Sequence, residues 1–152
     1  MTNAVLRVSS YAPGGPHVLL FNNNLPVRLH GPGIWFALTL RFRVTECIER
    51  GRGRWRVETT GYRYSVQDAP DHEVLRYDWH PESQEGGRLV SFPHLHVHAG
   101  RSVGRWLHKV HLPTGQVEVE SVLALLLRDL GVRARRRDWK RILQQAGARF
   151  ED

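Results

Sequence analysis

Disulfide bonding is excluded by arithmetic, because the 152-residue chain has a single cysteine, Cys47, and one thiol cannot form an internal bridge. A reducing, cytoplasmic location is the simplest expectation, with Cys47 read as a small buried strand residue rather than a nucleophile. Long apolar runs are missing as well. No stretch approaches the roughly 18 residues that suggest a membrane span, and the opening MTNAVLRVSSYAPGG lacks the basic, apolar and small-residue order of a signal peptide. A soluble protein without a membrane partner is therefore expected. Lysine is nearly absent: Lys109 and Lys140 are the only two among 22 basic residues. Also missing are HExxH, a multi-cysteine ligand set and GxxxxGK[ST]. The run HGPGIW at 30–35 opens a strand rather than a helix, so it is no phosphate loop.

What is present is arginine, and with it a net charge of +7 and a pI near 10.5. Such a surface attracts phosphate polyanions, and arginine can grip them in a bidentate manner that lysine cannot. A GC-rich genome produces the same arginine bias, so charge alone names no partner. The hydrophobic share of 41% suffices for one cored domain over 1–152. That domain divides into an N-terminal segment at 1–33, a β-sheet at 34–111 carrying a histidine-rich strand, and a helical cap at 116–147.

Alternation supports the sheet. In Ile34–Ile48, Phe36, Leu38, Leu40, Phe42 and Val44 share one parity, while Trp35, Ala37, Thr39, Arg41 and Arg43 share the other, as in a strand with one apolar face. RGRGR at 50–54 reads as a hairpin loop, Trp55–Gln67 as the returning strand, DAPD at 68–71 as a turn, and His72–Trp79 as the next strand. PESQEGG at 81–87 reads as a loop, with strands after it near Leu95–His98 and Trp106–His111. Upstream, His17–Phe21 and Val27–His30 read as short strands, with a turn at Asn22–Asn24 between them; the start, Met1–Tyr11, reads as a short helix or an edge strand. Val119, Val122, Leu123, Leu126 and Leu130 recur at helical spacing up to Gly131, and a second helix is expected from Asp138 to Gly147. The expected class is α+β: an antiparallel meander with C-terminal helices packed on one face.

Seven of the nine histidines fall between residues 72 and 111. In FPHLHVH (92–98), His94, His96 and His98 alternate with Leu95 and Val97, so three imidazoles project from one strand face while Leu95 and Val97 turn to the core. Neighbours on that face lie roughly 7 Å apart, within reach of one phosphate or one metal ion. Three readings stay open. The first is acid–base cleavage of RNA, with His94, His96, Asp78 and His80 as catalytic groups and no cofactor required. The second is a metal site on His94, His96 and His98. The third is a polar sheet face without chemistry. Arg41, Arg43, Arg54, Arg56 and Arg76, with Tyr62 and Tyr64, are the candidate nucleic-acid-binding residues, since basic groups interleaved with aromatics can hold a single strand. The same arginines equally suit a solvated hairpin whose charges protect an edge.

The segments YRYSVQ (62–67), EVLRYDWHPE (73–82) and FPHLHVH (92–98) together resemble the core of the TumE-like toxin family over roughly residues 55–98. The matching positions are Tyr62, Tyr64, Gln67, Arg76, Tyr77, Asp78, His80, His94 and His96. Here Asp78-Trp79-His80 and the alternation His-Leu-His-Val-His replace the family's Asp-Asn with a His pair and its lysine-containing His run. The resemblance implies a bacterial toxin that stops growth and is neutralised by a cognate antitoxin protein, while RNA as a partner is the expectation of the charge and the histidines.

Overall fold

The computed structural model describes residues 4–9, 14–47, 54–81, 84–85, 88–98 and 110–147. Among the described residues, ten strands and two short α-helices run in the order β1 (Leu6–Val8), β2 (Pro16–Phe21), β3 (Val27–Arg28), β4 (Trp35–Glu46), β5 (Trp55–Ala69), β6 (His72–Trp79), β7 (Gln84–Glu85), β8 (Arg88–Leu89), β9 (His94–Val97), β10 (Leu112–Pro113), α1 (Val119–Arg128) and α2 (Trp139–Gly147). The main sheet is antiparallel throughout, in the order β1-β2-β4-β5-β6-β9-β10, with β3 also paired to β4. Strands follow one another across the main sheet in chain order, broadly the expected meander, with β3 set off the path beside β4 and β7 and β8 forming a separate small hairpin. The fold is thus mostly antiparallel sheet with two short helices. No helix among the described residues is long and apolar enough to cross a membrane.

Several boundaries moved. The opening segment contributes an edge strand, not a helix. The turn Asn22–Asn24 is one in which all three asparagines take positive φ, a conformation that asparagine tolerates better than most residues. The strand expected at Val27–His30 stops at Arg28, because Leu29 turns into the core. Strand β5 runs on to Ala69, so the turn falls at Pro70 and Asp71, the latter at φ 65°. Cys47 lies just beyond β4 and is half-buried. Of the strand expected at Trp106–His111, residues 106–109 lie outside the described residues, and His111 immediately precedes β10.

The pleat of the long strands separates two faces. Phe36 pairs with Val66, Leu38 with Tyr64, Tyr64 with Tyr77, Val66 with Leu75, and Tyr77 with Leu95, and residues directly opposite one another share a face. That face is the apolar core. Phe36, Leu38, Tyr62, Tyr64 and Val66 are buried there with Leu29, Val122, Leu126 and Val132, so α1 packs its apolar stripe on the sheet. Helix α2 lies against α1. Gly131, at φ +68°, turns the chain out of α1, and Arg133 N then donates to His30 O at 2.9 Å. The approach at this point is so close that a Cβ at Gly31 would sit 2.7 Å from Gly131 O.

Tyr62 and Tyr64 are correspondingly not a base-stacking surface. Both are 1% exposed and lie parallel, ring centroids 4.8 Å apart, and the Tyr62 hydroxyl accepts a hydrogen bond from Val117 N at 3.0 Å. A tyrosine can serve either face of a sheet, since its ring suits burial and its hydroxyl suits a polar partner, and here the chain leading into α1 supplies that partner. Leu126, fully buried between α1 and the sheet, gives a direct check on this packing. Leu126→Ala should lower unfolding free energy by about 2–5 kcal/mol in urea titrations, whereas Val8→Ala on the exposed edge should change it by roughly 0.5 kcal/mol or less.

Candidate functional site

The second face of the sheet is polar, and most of its centre is buried. Ala37 pairs with Ser65, Ser65 with Arg76, Arg76 with His96, and in the next row Thr39 pairs with Arg63, Arg63 with Asp78, and Asp78 with His94. Asp78, His94, His96 and Ser65 are all buried. One irregularity adds to this face. The β5–β6 register shifts between Val66 and Gln67, so that Gln67 lies opposite Glu73 and Val74 is skipped. A bulge of this kind reverses side-chain parity, and it brings the Glu73 carboxylate onto the polar side.

The result is a chain of compensated charges. Arg76 Nε lies 3.0 Å from Asp78 Oδ2 and His80 Nε2 lies 2.9 Å from Asp78 Oδ1, ion-pair contacts on both carboxylate oxygens. Arg76 Nη1 reaches Glu73 Oε1 at 3.2 Å, Ser65 Oγ donates to Glu73 Oε2 at 2.7 Å, and Gln67 Nε2 donates to Ser65 Oγ at 3.2 Å. His98 Nε2 lies 3.5 Å from Glu73 Oε1. Burial alone would push the Asp78 carboxyl up. The hydrogen bond and charge of His80, then the charges of Arg76 and Arg63, more than offset this, and the group is held below its usual range.

The imidazoles gather, but not as the strand alternation suggested. His94, His96 and His111 form a cluster with ring centroids 4.8 Å (94–96), 4.7 Å (94–111) and 4.6 Å (96–111) apart. The His98 ring is 6.3 Å from His96 and turns to Glu73 instead. The third member comes from the neighbouring strand: Leu112 pairs with Leu95 and Pro113 with His94, and that register continued by one residue sets His111 opposite His96. Leu95 and Val97 do face the core side, with Tyr77 and Leu75 as partners. His94 and His96, at 3% and 4% exposure, are shut off from solvent rather than displayed. Burial, then the charges of Arg76, His94 and His111, push the His96 imidazole down to about 3, so it is neutral at physiological pH and cannot hand a proton to a leaving group. These two rings therefore do not fit the expected role of catalytic acid and base.

No protein-family profile, curated protein or solved structure matches this chain. The reading of the site rests on its own chemistry.

Asp78 and His80 do keep a geometry suited to proton transfer. The side chain of His80 is 21% exposed. With Nε2 turned to Asp78, Nδ1 carries the lone pair; it is buried and has no hydrogen-bond partner among the described residues. His80 and Pro81 line one side of a groove of about 360 Å³, with Arg41, Arg43, Thr60, His17, Val18 and Pro16 around the remainder. Gly61 makes this approach possible. A Cβ there would lie 2.8 Å from Trp79 O and 3.6 Å from His80 Nδ1.

The predicted arginines separate into two groups. Arg41, Arg43 and Arg56 are exposed. Arg54 is exposed too, pairing with Glu46 at 3.2 Å and lying over the Trp55 ring at 5.3 Å. Arg76, with its side chain only 12% exposed between Glu73 and Asp78, is committed to the network and does not present itself to a nucleic acid. Sequence reading passed over Gly61, Glu73 and the clustering of His111. Gly61 stands out only as an isolated glycine inside a β-rich run, and the other two depend on register.

Asp78→Asn leaves buried Arg76 with one carboxylate partner instead of two, and should lower stability by roughly 3 kcal/mol at neutral pH. The sign with pH follows from its depressed folded-state pKa. The Asp78 contribution is fully present above the unfolded carboxyl pKa and is lost as pH falls through the folded value. Urea unfolding across the acid range should show the wild-type stability falling toward that of Asp78→Asn, with the gap narrowing as pH drops.

Proposed function

We propose that the protein is an RNA-cleaving toxin of the toxin–antitoxin kind, acting in the cytoplasm through the Asp78–His80 pair. One observation carries this reading: a histidine oriented by a buried carboxylate lies on a groove flanked by the exposed guanidinium groups of Arg41 and Arg43. Phosphodiester cleavage without a cofactor needs a base for the 2′-hydroxyl and positive charge for the phosphoryl oxygens. His80 takes the 2′-hydroxyl proton at Nδ1, which is buried here and must turn out into the groove to meet it, while Asp78 steadies the imidazolium that forms. The 2′-oxygen bonds to phosphorus as the bond to the 5′-oxygen breaks, leaving a cyclic phosphate and a 5′-hydroxyl. The departing oxygen takes up the proton held by His80. Arg41 and Arg43 bind the phosphate backbone, and the net charge of +7 draws the polyanion in.

The toxin role rests on the resemblance of residues 55–98 to TumE-like toxins, among whose matching positions Asp78 and His80 are both found. A cognate antitoxin would be the natural partner, and a basic surface favours an acidic one.

Expression of the wild-type chain should arrest growth, and the purified protein should cut single-stranded RNA to products with 2′,3′-cyclic phosphate ends. His80→Ala should slow cleavage by about 10²–10⁴-fold and relieve the arrest. Arg41→Ala with Arg43→Ala should weaken RNA binding and flatten its salt dependence. RNA that stays intact under the wild-type protein would sink the enzyme reading, and salt-sensitive binding in that case would leave a non-catalytic RNA-binding module.

A further inference from the structure

We infer that His94, His96 and His111 form a binding site for one late first-row divalent metal ion of the zinc class. One ring nitrogen from each of the three lies within 4.8 Å of those of the other two. Around a tetrahedral ion with metal–nitrogen bonds near 2 Å, ligand nitrogens stand about 3.4 Å apart, so closure needs only small ring movements. The set is three imidazole nitrogen donors. That composition suits zinc, nickel, cobalt or copper and does not suit calcium or magnesium, which require oxygen.

A second observation points the same way. His94 Nδ1 lies 2.9 Å from Phe92 O, and a carbonyl can only accept, so the ring proton sits on Nδ1. Nε2 is left as a bare lone pair. It is buried, and no hydrogen-bond partner meets it among the described residues. An imidazole whose far nitrogen donates to a backbone carbonyl is the usual posture of a metal-bound histidine. Arg76, whose charge bears on His96, is paired with Glu73 and Asp78, which partly offset it.

The site ties β9 to the chain entering β10, two segments otherwise joined by a two-residue pairing. Binding there would stabilise the outer side of the sheet by mass action. Three protein ligands also leave a coordination position for water or an exogenous ligand. The proposal is independent of RNA cleavage at His80, and either can fail without the other.

The test is titration of the chelator-stripped full chain with zinc by calorimetry, alongside cobalt substitution read by visible absorption. The expected results are one ion per chain, a submicromolar dissociation constant, the intense d–d bands of tetrahedral cobalt, and a raised melting temperature. His111→Ala should weaken binding by roughly 100-fold or more and abolish the cobalt bands. His111→Gln, which keeps the volume and polarity of the less buried position, repeats the test should the alanine variant fail to fold. His98→Ala should bind as the wild type does. Absence of saturable binding to the wild-type chain would overturn the assignment. So would binding that survives loss of His111, or binding that disappears with His98.

Discussion

A carboxylate buried at the centre of a sheet face is the constraint on which the rest of the polar architecture depends. Removing Asp78 from water without partners would be far too costly to survive folding. It is retained because Arg76 and His80 meet its two oxygens. Each partner then needs its own solution. Arg76 is itself nearly enclosed and takes Glu73 as a second carboxylate, and Glu73 in turn draws in Ser65 and His98. His80 sits farther out, its ring on the lining of the groove and its remaining nitrogen buried without a hydrogen-bond partner among the described residues. One buried charge thus sets the rotamers of a row of side chains across β5, β6 and β9, and it does so opposite an ordinary apolar core.

That two-faced sheet was legible in sequence wherever the strand period ran undisturbed. The alternation in β4 identified Phe36 and Leu38 as core residues, and the alternation in β9 correctly turned Leu95 and Val97 one way and His94 and His96 the other. Reading failed where register is set by pairing rather than by period. The skipped Val74 reverses parity within β6, so Glu73 joins a face that simple counting denies it. His98 looked like the third member of the cluster because it follows His96 by two. Yet same-face neighbours along a strand are roughly 7 Å apart, whereas directly opposed residues on adjacent strands are about 5 Å apart. Crossing to the next strand therefore reaches His111 sooner than continuing along β9 reaches His98.

The two tyrosines failed for a different reason. Composition treats Tyr62 and Tyr64 as candidates for stacking on bases, and their strand has the right neighbours for it. What decides their face is the pairing of Tyr62 with Trp79 and Tyr64 with Tyr77, together with the apolar side of α1 packed over them and the Val117 N–H, 55 residues away on the chain entering that helix, that meets the Tyr62 hydroxyl. A contact of that sequence separation leaves no local trace.

The histidines also divide by environment into groups that cannot exchange roles. An imidazole acts as base or acid near neutral pH only where both of its protonation states are tolerated. The interior position of His96, beside Arg76, favours the neutral ring alone, which makes it a poor proton carrier, and beside it the buried Nε2 of His94 is a bare lone pair. His80 has the opposite circumstances: partial exposure, and a carboxylate ready to stabilise its protonated form. Proton transfer therefore belongs on the groove side of the sheet and lone-pair donation on the β9–β10 side, although Asp78 lies between them and pairs with His94 across the strand. Exchanging those roles would require charging a ring inside the polar core, where no carboxylate remains uncommitted among the described residues.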